Sequence, residues 1–154
     1  MPAHQPADPH FAPRVRESFA RQSAMQLIGA ELISVAPGEV VIHLPHGPNI
    51  TQQHGFVHAG IVSTALDSAC GYAASSLMAA DAGVLTIEFK VNLLAPARGP
   101  LLRMTGSVTK AGRTISVVEG RAVQPHPSRP GEDQLVATMS ATMMTITGRA
   151  DVLG

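Results

Sequence analysis

The chain has 154 residues, enough for one domain that buries a core without staples, and its one cysteine excludes an intrachain disulfide framework. Eleven basic residues balance eleven acidic ones, tryptophan is absent and aromatics make up 3%, so the charge footprint and stacking surfaces of a nucleic-acid binder are missing. Charged residues are 14% against 45% hydrophobic, a ratio that predicts surface covered by further subunits even though alanine and methionine inflate the second figure.

Residues Met1 to Pro13 hold four prolines and two histidines without periodicity and read as a loose tail ahead of a single domain over 14–148. No apolar N-terminal run is long enough for a signal peptide or membrane span, so a soluble, cytoplasmic protein is expected. From Arg14 to Ile28, Val15, Phe19, Met25 and Leu27 mark one short amphipathic helix ending at Gly29. Glu31–Val35 and Glu39–Leu44 then read as strands joined by a turn at Pro37-Gly38. His46 to Val57 is a polar loop leading into a long helix from about Ala59 to about Ala80 that stops near Asp81-Ala82-Gly83.

Strand patterns follow. Ile87, Phe89, Val91 and Leu93 alternate with Thr86, Glu88, Lys90 and Asn92 up to Pro96. The alternation resumes at Leu102–Val108 and Ile115–Val123, and Leu135–Thr147 is the last strand, with Gln124–Gln134 as an exposed connection. One long apolar helix followed by successive strands predicts an α+β domain in which a curved sheet wraps the helix.

Asp67 is the only charged residue in that helix. A carboxylate among small and apolar side chains is costly unless it is paired or used, which marks it for acid/base or nucleophilic chemistry. A helix apolar all round must also be buried all round, and one sheet covers only part of it. Ser63, Asp67, Gly71 and Ser75 form a stripe of mostly small residues where the same helix of a second subunit can approach across a two-fold axis.

Gln52, the run His58-Ala59-Gly60 and Asp67, in the order helix, strand pair, polar loop, buried helix, strands, resemble the hotdog-fold acyl-CoA thioesterases of the phenylacetate-degradation (PaaI-like) family. The resemblance spans Phe19 to Thr147; TQQHGFVHAGIVSTALDSACGYAA carries most of it, with support from TIEFKVNLLAPA and VTKAGRTISVVEG. It implies a curved antiparallel sheet around one central helix, hydrolysis of acyl-CoA to free acid and CoA, and a homodimer or dimer of dimers. The site residues it implies are Gln52 before the helix, the Ala59 amide with His58 and Gly60 at the helix start, Asp67 two turns in, and Thr86 as a hydroxyl that helps hold the water. Alternation over Ile87–Leu93 puts Thr86 opposite Ile87 and Phe89. The family usually shows His-Gly-Gly where this chain has His-Ala-Gly. A methyl group there is harmless if only the amide acts.

The chemistry is coherent. Free N–H groups at a helix N-terminus hold a thioester carbonyl and stabilise the oxyanion that develops on it, while Asp67 serves as general base or nucleophile. Eight residues of helix span about 12 Å, too far for Ala59 and Asp67 of one chain to flank one carbonyl, so a site shared between subunits is expected. His58, directly before the helix, is expected to fix the loop, and Cys70, beside no base, to be an inert small hydrophobe. The seven histidines show no metal-ligand spacing, and no metal or cofactor is called for. Lys110 and Arg113 in VTKAGRT are candidates for the phosphates of coenzyme A, with a solvated hairpin turn as the plainer reading, and Arg98 and Arg103 are no better supported. Two rival functions use the same pattern: a non-catalytic acyl-CoA binding or sensing module, and an acyl-thioester hydratase or dehydratase.

Overall fold

A computed structural model describes residues 4–153. In chain order it contains α1 (Phe11–Arg21), α2 (Ser23–Ile28), β1 (Glu31–Ala36), β2 (Glu39–Pro45), a short 3-10 turn (Pro48–Ile50), α3 (Ala59–Ser75), β3 (Gly83–Leu93), β4 (Leu101–Lys110), β5 (Ile115–Pro125) and β6 (Asp133–Ile146). The six strands form one sheet in the order β1-β2-β4-β5-β6-β3, every neighbouring pair antiparallel. This is the α+β hotdog architecture that the resemblance implies, with α3 lying in the curl of the sheet.

The period-two pattern decides what faces α3. Val40, Ile42 and Leu44 of β2, Leu102 and Met104 of β4, Val118 and Ala122 of β5, and Ala137, Met139 and Met143 of β6 are buried with Val62, Leu66 and Ala69 of the helix. Helix and sheet touch most closely at Gly106, where an added Cβ would stand 2.4 Å from the Ala69 carbonyl carbon. Only glycine admits that approach, because the obstacle is backbone. At the far end of the sheet, among the described residues β3 pairs only with β6 and its other edge is open. Leu85, Ile87, Phe89 and Leu93 on it are all exposed, Ile87 by 53%.

Four expectations are corrected. The helix expected over Arg14–Ile28 is two helices broken at Gln22, whose ψ of 95° is extended; the break turns Leu27 outward, 83% exposed, and Ile28 inward. The long helix stops at Ser75, and Gly83 begins a strand. Residues 4–13 are not loose. Asp8 accepts from the His10 amide and holds Arg14 at 3.0 Å, and the Arg14 guanidinium donates to the Ser75 and Met78 carbonyls at 3.0 and 3.1 Å. A half-buried cation thus caps the last carbonyl of α3 and the turn that follows it. Met1–Ala3 lie outside the described residues. Finally, Gln124 is buried rather than part of an exposed loop; its Oε1 accepts from the Arg98 and Gly99 amides and its Nε2 donates to the Pro96 carbonyl.

Candidate active site

The N-terminus of α3 is capped by His58, whose Nδ1 accepts from the Gly60 amide at 2.9 Å while its carbonyl accepts from the Ile61 and Val62 amides at 2.9 and 3.1 Å. The neutral ring therefore carries its proton on Nε2. His58 thus occupies the neighbouring donors of the first turn, Gly60 included. The Ala59 N–H has no hydrogen-bond partner among the described residues. Helix geometry leaves such a donor free, with the positive end of the helix dipole behind it.

Ala59 faces a cavity of about 560 Å³ together with Gln52, Phe56, Val62 and Leu93. Gln52 reaches it from a tight turn closed by the Gly55 amide on the Gln52 carbonyl at 2.9 Å, with Gly55 at φ 81°. The Gln52 Oε1 accepts from the His54 amide, so its NH₂ remains as the donor. Phe56, which lines this cavity, carries the Arg98 guanidinium 4.8 Å from the centre of its ring, so the cation stands next to the cavity rather than in its lining.

Asp67 lies elsewhere. It lines a second cavity with Thr86, whose hydroxyl donates to Asp67 Oδ1 at 2.8 Å. Burial pushes the Asp67 carboxyl above its ordinary range, and the Thr86 hydrogen bond draws it partly back. Thr86 can make this bond because β3 contains a bulge. Thr86 pairs with Met143 while Glu88 pairs with Thr142, leaving Ile87 as the extra residue. Paired residues share a face, so Thr86 and Phe89 lie on the same side of the sheet as the buried Met143 and Ala141, although Phe89 itself stays exposed. The simple alternation expected over Ile87–Leu93 had placed Thr86 on the opposite side.

Cys70, one turn beyond Asp67, is buried, and its thiol is pushed up to about 12 by burial first and the Asp67 charge second. It is chemically inert. Lys110 and Arg113 are exposed at the β4–β5 turn. That turn adjoins the row in which Ser116 and Thr86 both pair with Met143, away from the Ala59 cavity. Arg103 is engaged by Asp133. Arg98, which the sequence supports no better than Lys110 and Arg113, is the cation that sits on Phe56 next to the large cavity. Its partner Phe56 comes from the loop before α3, and the two loops are joined next to the contact, where the Val57 amide donates to the Ala97 carbonyl at 2.8 Å. No cluster of three or more potential metal ligands occurs among the described residues.

A polarised helix N-terminus at one cavity and a desolvated carboxylate at another are parts suited to acyl transfer from a carbonyl substrate. Comparison with known proteins agrees on the class. The sequence description of the thioesterase superfamily matches residues 54–130, half of the chain. A Halobacterium salinarum protein carrying a provisional esterase name is 32% identical over 118 residues, covering 73% of this chain and 78% of its own. A similarly named Saccharolobus solfataricus protein is 33% identical over 107 residues, covering 68% and 75%. The crystal structure of a thioesterase family protein from Silicibacter pomeroyi is 50% identical with a TM-score of 0.85, covering 90% of this chain and 99% of that one. The PaaI protein of the E. coli phenylacetic acid degradation operon shares the fold at 19% identity, with a TM-score of 0.76 over 88% and 93% of the two chains. The chain belongs to the thioesterase superfamily and has its hotdog fold. Among the described residues no helix is long and apolar enough to cross a membrane.

Proposed function

We propose that this protein hydrolyses acyl-CoA thioesters as a PaaI-like enzyme, in sites shared between two subunits. The observation that carries the reading is the desolvated Asp67 carboxylate held by the Thr86 hydroxyl. A raised affinity for protons makes it a better base for water near neutral pH. As base, Asp67 takes a proton from water while the oxygen attacks the thioester carbon; as nucleophile, it forms a mixed anhydride that water then opens. In either course the carbonyl oxygen becomes an oxyanion against the Ala59 N–H, with the Gln52 NH₂ beside it. The thiolate of CoA leaves and is protonated.

Because Ala59 and Asp67 line different cavities of one chain, a single carbonyl meets both groups only if one comes from each of two subunits. The open edge of β3, with its exposed Leu85, Ile87 and Phe89, supports a homodimer. A dimer of dimers is the next level of the same proposal. Arg98 beside the Ala59 cavity suits the anionic coenzyme, more directly than Lys110 and Arg113 do. Such a substrate also suits a cytoplasmic enzyme.

The test is thiol release from a panel of acyl-CoA thioesters by wild-type protein and by Asp67→Asn. Turnover by the wild type that falls at least about a hundredfold in the variant is the expected result. Binding of acyl-CoA without turnover of any member would instead fit a non-catalytic binding module.

A further inference from the structure

Beyond Asp67 and Thr86 the second cavity encloses about 180 Å³. Gly71 of α3 lies on one side of it and Gln22, at the α1–α2 break, on another. Its outer wall is made by Val152 and Leu153 of the C-terminal segment. That segment is a hook stapled to itself. Gly148 turns it at φ 70°, the Arg149 guanidinium holds Asp151 with Nε at 3.1 Å from Oδ1, and the Val152 amide donates to the Arg149 carbonyl at 3.2 Å.

The hook sits on Gly83, the first residue of β3. A Cβ at Gly83 would stand 2.1 Å from the Val152 carbonyl oxygen and 2.9 Å from its Cγ1. Gly83 is not among the glycines of positive φ, so its backbone accepts any residue and the hook is what excludes a side chain there. The hook's own ion pair is exposed at both ends, which makes it a weak tie.

If the thioester carbon sits at Asp67, the acyl group and the coenzyme arm must run in opposite directions. The larger cavity, with the Arg98 cation beside it, suits the anionic coenzyme. The smaller one, walled by the hook, is left for the acyl group. We propose, resting on the thioesterase reading above, that the hook Gly148–Leu153 is the specificity-determining wall of the acyl cavity and restricts the enzyme to short acyl groups. A closed apolar cavity of ~150 Å³ admits a benzene-sized guest, and this cavity, of about 180 Å³ and lined also by Ser18, Ser68 and Ser75, sets the expected limit near a single ring or a chain of about six carbons.

The test measures kcat/KM across linear acyl-CoA thioesters from acetyl to dodecanoyl, for the full-length wild type and three full-length variants. The wild type is expected to peak at or below six carbons and to fall off beyond. Gly83→Ala evicts the hook, and Val152→Gly with Leu153→Gly trims its inner face. Each should raise the octanoyl to butanoyl ratio at least about tenfold, the scale on which a pocket discriminates one methylene. Gly71→Leu acts from inside, since within one chain a Cβ there meets nothing within 4 Å, and it is read on protein whose dimer is verified by size-exclusion chromatography, because Gly71 also belongs to the stripe proposed to face the second subunit. It should move the cut-off toward shorter chains.

Folded variants with the wild-type cut-off would overturn the proposal, as would a wild type that prefers long chains. No turnover of any thioester would overturn the thioesterase reading and this inference with it, whereas turnover with an unmoved cut-off overturns the inference alone. If Gly83→Ala fails to fold, the double glycine variant reads the same wall, and the wild-type profile with Gly71→Leu decides if both fail.

Discussion

Asp67 is charged at a cost to the fold. Burial places its folded pKa above the ordinary 3.8, with the Thr86 hydrogen bond as the partial offset. Between the ordinary and the raised value the folded chain holds a proton that the unfolded chain has lost. Stability therefore falls as pH rises through that window, and the deficit persists at neutral pH. Asp67→Asn should melt at a higher temperature than wild type at pH 7 while losing thioester turnover, and a thermal melt beside the thiol assay checks both. Thr86→Val removes the contact that lowers the pKa, so the acidic limb of the kcat/KM profile should move to higher pH. A limb that stays in place would mean that another group titrates in the reaction. Cys70→Ala, at a thiol held near 12, should leave the pH profile where it is.

At the scale of elements, the start of α3 offers a test that touches one donor. Ala59 is the first helical residue, where proline's missing N–H has no helical partner to lose. His58 before it, at ψ 136°, already has the extended backbone that a residue preceding proline requires. Ala59→Pro should fold and lose roughly a hundred- to thousandfold in kcat, the scale for one oxyanion donor. Ala59→Gly, which keeps the amide, should stay active. Where sheet meets helix, Gly106→Ala drives a methyl into the Ala69–Cys70 peptide and should cost about 1–3 kcal/mol in denaturant unfolding, the range for overpacking.

The start of α3 and the Thr86 contact differ in how far the sequence reveals them. The start of α3 is legible because a polar loop, a capping residue and an apolar run adjoin in the chain, and Asp67 stands out as the single charge in that run. The inward turn of Thr86 is not, because a bulge is defined only by the partner strand, and the partner of Thr86 is Met143. The Arg14 strap was hidden for a similar reason. Nothing in a proline-rich tail announces that its nearest arginine will close the far end of a helix beginning at Ala59. Arg98 joins Phe56 only through the pairing of two loops.

For the whole molecule, the proposed sharing of sites between subunits makes a prediction that no single variant can. Asp67→Ala and Gln52→Ala homodimers should both be poor enzymes. Mixed and allowed to exchange subunits, they should regain about a quarter of wild-type activity, since random two-fold pairing makes half the dimers mixed and each mixed dimer has one intact site of two. Verified exchange without recovery would place the site within one chain. The sheet order also has a consequence for how the molecule comes into being. β3 is made early, but its partner β6 is the last strand of the chain, and β6 must slot between β5 and β3 to complete the sheet. Until the ribosome has passed Ile146, the segment VLTIEFKVNL has neither edge satisfied, and only Glu88 and Lys90 discourage it from pairing with a neighbouring nascent chain. Thr86 rides on that strand. The hydroxyl that meets Asp67 is thus held by a non-local pairing that forms only once β6 has been made.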